Sequence, residues 1–200
     1  MRVLAVADIH DRLDNVRRVA GVERDVALVA GDFTYSWSAE AARRTLEILA
    51  QGSPVYYVAG NMDPGDAFGD LGLANAVQLH GRVVQKNGVY FAGLGYVGEG
   101  EAEAVLGRLR GLRPLVLLTH SPPYGVLDKA YSGERLGNKA LRRFIEAERP
   151  VLVVSGHVHE ARGVEKIGET LVVNPGPLMR GYYAFIELEA GRAEAELLRL

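Results

Sequence analysis

"VLVVSGHVHE" (residues 151–160) decides the architecture. Its first four residues are all apolar, so both faces of the strand they form need burial, as in a sheet covered on two sides. A glycine and two histidines then follow within the same stretch. The chain has 5 histidines in all. Alternate side chains of a strand share a face, so His157 and His159 are expected to turn toward one object.

Four other runs repeat this pattern: "RVLAVAD" (2–8), "VALVAGD" (26–32), "VYYVAGN" (55–61) and "PLVLLTH" (114–120). Helical spacing separates most of them. Leu13, Val16, Val19 and Ala20 form one stripe. Ala42, Leu46 and Leu49 form a second behind a cap at Ser36 or Ser38. Ala102, Val105, Leu106 and Leu109 make a third, and Leu141, Phe144 and Ile145 a fourth behind Asn138. Asn87-Gly88 is a hairpin signal between two β-rich arms. "TLVVNPG", "YYAFIELE" and a last arm after "EAGRAE" also read as strands. The sum is an α/β architecture of several layers, with two sheets inside and helices outside. No repeat or linker interrupts it, so residues 1–200 are expected to form one domain.

Composition narrows the function. A hydrophobic fraction of 48% and a charged fraction of 24% suit a soluble globular chain. The net charge of −2 argues against a surface built to neutralise a nucleic-acid backbone. With 0 cysteines, any metal must take nitrogen and oxygen ligands. The opening "MRVLAVADIH" lacks the long apolar core and cleavage site of a signal peptide, and no apolar stretch reaches a membrane span, so a cytoplasmic location is expected.

Each of the five runs ends in a residue able to bind metal: Asp8 with His10, Asp32, Asn61, His120, and His157 with His159. Ligands of α/β sheets bind at the carboxyl edge of the strands, where these side chains would meet. His80 stands apart and is expected to be structural. Seven ligands exceed the needs of one four-coordinate ion, so two divalent ions are expected. The mixed imidazole and carboxylate set suits manganese first, with iron, zinc, cobalt, nickel or magnesium as alternatives. Asp32 is placed to bridge them. Such a pair would acidify a shared water and neutralise charge growing on a phosphoryl oxygen.

In order, "DIH" (8–10), "GD" (31–32), "GNMD" (60–63), "TH" (119–120) and "GHVH" (156–159) resemble the motif set of the calcineurin-like metallophosphoesterases. The resemblance is closest to the small single-domain bacterial and archaeal phosphodiesterases. It implies a four-layer α/β/β/α sandwich of two mixed sheets flanked by helices. It also implies that Asp8, His10 and His159 hold a first ion, that Asn61, His120 and His157 hold a second, and that Asp32 bridges. Asp32, Asn61 and Asp63 are the expected catalytic positions. The activity implied is hydrolysis of a small phosphate ester, a diester above all, by in-line attack. No membrane or nucleic-acid partner is expected, and self-association is left open.

One position departs from the pattern. Many members have "GNHD" where this chain has Met62, and that histidine is taken to protonate the leaving group; a thioether donates no proton. The alternative function is therefore a non-catalytic, metal-binding interaction module. "NPGP" (174–177) reads as a rigid turn. Tyr35 and Trp37 follow Asp32 closely and are candidates for the substrate pocket, as are Tyr124, Lys129 and Tyr131 after His120.

Overall fold

The computed structural model describes every residue except Ser36 and Asp70, and of Asp66 and Phe68 the backbone alone. Strand β1 (Arg2–Val6) lies near the middle of the first sheet. Beyond it on one side run β2 (Val26–Ala30), β3 (Val55–Val58) and β4 (Ala76–Gln78), all parallel. On its other side lie β11 (Tyr182–Glu189) and then β12 (Arg192–Arg199), both in antiparallel pairings.

The second sheet has the order β5 (Val83–Lys86), β6 (Val89–Leu94), β7 (Leu115–Thr119), β8 (Leu152–Val154), β10 (Thr170–Asn174) and β9 (Gly163–Ile167). Its two outer pairings are antiparallel and the inner three parallel. Asn87 and Gly88 both have positive φ (50° and 77°), the primed turn that matches strand twist. Each sheet is mixed, as the family resemblance implies.

Alternation along each strand assigns the layers. Val3, Ala5, Val26, Leu28, Val116, Leu118, Leu152 and Val154 fill the space between the sheets. Their neighbours Leu4, Val6, Ala27 and Val29 face helices α1 (Leu13–Ala20) and α2 (Ala39–Ala50) through Val16, Val19, Ala42 and Leu46. On the far side, Leu115, Leu117 and Val153 face α3 (Glu99–Gly107) and α4 (Lys139–Glu148). The result is the four-layer sandwich. All five residues of β2 are fully buried, so truncating Leu28 to Ala would cost about 2–5 kcal/mol.

Ser38 caps α2 by accepting the N–H of Ala41, and Asn138 caps α4 by accepting that of Leu141. Ser36, the other cap considered for α2, lies outside the described residues. Among the described residues, no helix is long and apolar enough to cross a membrane.

Candidate metal centre

The parallel strands deliver their carboxyl ends to one edge, where the chain turns sharply. Asp8, His10, Asp32 and His157 all have positive φ, between 48° and 69°. Such geometry costs roughly 1–3 kcal/mol per residue and persists only where the surroundings enforce it. The expectation that "GHVH" continues a strand is corrected here. β8 ends at Val154, His157 is left-handed, and His159 opens a short 3-10 turn. The two histidines therefore diverge rather than share a face.

His159 joins Asp8 and His10. Its Nε2 stands 3.2 Å from His10 Nε2 and 3.6 Å from Asp8 Oδ1, and the three residues form a group able to hold a cation. His157 instead packs by His120, ring centroids 5.0 Å apart, and lies outside that group. A second group consists of Asp8, Asp32 and His120. Asn61 is drawn to it, with Oδ1 3.0 Å from His120 Nε2.

Asp32 stands between the halves. Its Oδ2 faces His10 Nε2 at 3.9 Å and its Oδ1 faces His120 Nε2 at 3.6 Å. Two glycines permit this crowding. A Cβ on Gly31 would meet His120 Nδ1 at 2.7 Å, and one on Gly60 would meet His120 Cε1 at the same distance and fall on Asp32 itself.

The donor set fits a cation. Asp8 Oδ2 is buried and has no hydrogen-bond partner, an expense of a few kcal/mol that a positive ion would remove. His120 Nδ1 lies 2.6 Å from the carbonyl oxygen of Ala30. A carbonyl only accepts, so Nδ1 carries a proton and Nε2 is the ring atom turned toward the cluster. Nε2 faces the Asn61 amide oxygen at 3.0 Å, so both atoms stand where one cation would meet them.

Electrostatics agree. Burial alone would raise the Asp8 carboxyl, but His159 and His120 hold it below the usual carboxylate range. The Asp8 carboxylate beside it raises the His159 imidazole. Burial lowers His10. Burial, aided by His120, pushes His157 down to about 4, which leaves a neutral imidazole able to offer a lone pair at neutral pH.

Asp63 is not aimed at the cluster. Its oxygens accept the backbone N–H groups of Asp32 (2.7 Å), Phe33 (2.7 Å) and Gly60 (2.8 Å). These bonds tie the loop after β2 to the loop after β3 and position the Asp32 main chain. Burial, with the Asp32 carboxylate adding to it, pushes its carboxyl up to about 6 while those N–H groups oppose. Met62 donates its N–H to Asp32 Oδ1 at 2.8 Å. Asn174 of "NPGP" donates to the carbonyl of Val158, between the two histidines, and accepts the N–H of Gly176. That turn supports the site from behind.

The rim is aromatic. Tyr35 stacks on His10, centroids 4.1 Å apart and planes 15° apart, and its hydroxyl reaches Met179 Sδ at 3.3 Å. Tyr96, unremarked in the sequence, leans on His157 at 5.2 Å and His120 at 5.9 Å. The available signal was β6, a sixth apolar run ending at the same edge. His80 accepts the N–H of Gly95 at 3.1 Å and so braces that loop. Tyr131 donates its N–H to Glu160 Oε1 at 2.6 Å. Tyr124 lies beneath Lys139, 5.2 Å from its centroid, and Lys129 is exposed.

Comparison with known proteins yields one family. A sequence profile of the calcineurin-like phosphoesterase superfamily domain matches residues 1–190. An uncharacterised protein of Methanocaldococcus jannaschii is 28% identical over 204 residues, covering 92% of this chain and 91% of its own. Two solved structures share the fold. A dimetal phosphatase from Danio rerio superposes with a TM-score of 0.62 at 12% identity, over 100% of this chain and 98% of that one. Vps29 from Entamoeba histolytica, complexed with zinc, does so with a TM-score of 0.52 at 16% identity, over 100% and 99%.

Proposed function

The chain belongs to the calcineurin-like phosphoesterase superfamily, and from that premise we propose that it is a cytoplasmic, dinuclear metal-dependent phosphodiesterase. The observation that carries this reading is the position of Asp32, whose two oxygens face imidazoles of opposite halves of the cluster, His10 and His120. Asp8, His10 and His159 would hold one divalent ion, and Asn61, His120 and His157 the other, with Asp32 common to both. Donors of imidazole, carboxylate and amide without thiolate suit manganese first, with iron, zinc, cobalt, nickel or magnesium as alternatives. The ions would supply Lewis acidity, lowering the pKa of water and neutralising phosphoryl charge.

The chain's own residues do the rest. The Ala30 carbonyl fixes the His120 tautomer, and Asp63 holds the Asp32 backbone in its strained turn. Asp32, His10 and His120 are nearly or fully buried, so little water competes for the donors. Tyr35 and Tyr96 bound the opening beside the two halves. Met62 has a thioether that offers no proton, so this reading favours esters whose leaving group departs as a stable anion.

Met62 also motivates a second reading, a metal-holding interaction module of the same fold, which the likeness to zinc-bound Vps29 supports. One experiment separates them. The purified chain, loaded with manganese, is given bis(4-nitrophenyl) phosphate, and Asp32→Asn is run beside it. The enzyme reading expects metal-dependent turnover that Asp32→Asn abolishes. Bound metal without turnover, or equal turnover in the variant, would refute it.

A further inference from the structure

The exposed aromatic rings are not scattered. Among the described residues they are Tyr35, Trp37, Tyr96, Tyr124 and Tyr131. All five stand on loops that follow β2, β6 and β7 at the carboxyl edge, and Tyr35 and Tyr96 rest on rings of the candidate metal centre. Exposed aromatic surface gathered in one place marks a binding site more often than chance packing. Tyr35 is the most informative. One face of its ring lies flat on His10, while the residue is 50% exposed, which leaves much of its surface to solvent. Its hydroxyl contact with Met179 and its N–H bond to Asp11 fix the ring's tilt. Tyr96 closes the other side, 44% exposed and resting on His157.

We propose that this rim is a subsite for a planar heterocycle, so that the diester substrate is a small nucleotide whose base stacks on Tyr35 while its phosphate meets the cluster. The inference deepens the phosphodiesterase reading and rests on it. Flat, exposed rings favour a stacked base over an acyl chain, because every base has a π-face and stacking tolerates its identity. Leu136 is the one exposed aliphatic among the large apolar side chains of these loops, so a lipid substituent would find few partners. The net charge of −2 favours a short nucleotide over a long strand.

The test compares two diesters with one leaving group, thymidine 5′-(4-nitrophenyl) phosphate and ethyl 4-nitrophenyl phosphate, on the manganese-loaded chain. Stacking should favour the thymidine ester by roughly tenfold in kcat/KM. Tyr35→Ala should bring the ratio toward one, and Tyr35→Phe, which keeps the ring, should preserve it. A ratio near one in the parent, or one unchanged in Tyr35→Ala, would overturn the subsite. Calorimetry with thymidine 5′-phosphate against ethyl phosphate separates this failure from that of the enzyme reading. Preferential thymidine binding, lost in Tyr35→Ala, upholds the subsite even where neither ester is cleaved. Equal binding, with both esters cleaved alike, removes the subsite and leaves the phosphodiesterase.

Discussion

Asp63 accepts the backbone N–H of Asp32 at 2.7 Å, so one acid holds in place the main chain of another. Asp63→Ala would strip an acceptor from three buried amides, those of Asp32, Phe33 and Gly60. Unsatisfied buried donors cost about 1–3 kcal/mol each, less where the loops relax. The variant should lose on the order of 3 kcal/mol in urea denaturation and bind metal more weakly. Parent-like stability would show that water replaces the carboxylate without loss.

Gly60 separates crowding from charge. Its added Cβ would come within 2.6 Å of the Asp32 nitrogen and 2.7 Å of His120 Cε1. Gly60→Ala should displace Asp32 and cost roughly 1–3 kcal/mol, although it removes no ligand. Metal titration should reveal weakened binding at both halves. Full occupancy with parent affinity would mean that the loops yield freely.

The divergence of "GHVH" allows the halves to be addressed singly. His159 stands with His10 and Asp8, and His157 with His120. His159→Ala should deplete one ion and His157→Ala the other, visible as distinct anomalous peaks in manganese-soaked crystals. His80→Ala, whose imidazole braces Gly95, should keep both. Loss of the same peak in the two ligand variants contradicts the division.

Met62 should make the rate depend steeply on leaving-group pKa, because no imidazole offsets the developing charge. Met62→His should speed poor leaving groups more than good ones, by up to about 10²-fold, and flatten the plot of log rate against that pKa. Parallel plots would place the proton donor elsewhere.

Much of this was legible in the sequence for a physical reason. A strand buried on both faces is apolar throughout, so Asp8, Asp32, Asn61 and His120 stood out as the polar ends of apolar runs. Other features were hidden because their causes are distant in the chain. The role of Asp63 as a brace has no local sign, since its three donors are backbone amides, two of them some thirty residues away. Tyr96 escaped notice because β6 read as a hairpin arm rather than as a run delivering a side chain to the edge. His157 and His159 were assigned to different ions by resemblance, while strand alternation pointed the other way. The left-handed turn at His157 sends the two rings apart, one toward His120 and the other toward His10.

The placement of β1 has a consequence for how the site comes into being. The strand leading to Asp8 and His10 pairs on one side with β2 and on the other with β11, whose residues lie more than 170 positions away. Contacts so remote in sequence form late, after a large loss of chain freedom. During synthesis, then, the first ligands emerge from the ribosome long before the hairpin that completes their sheet. A nascent chain should therefore gain high-affinity metal binding only once β11 has emerged, and truncation before Tyr182 should leave a species that captures metal poorly and aggregates through the bare edge of β1.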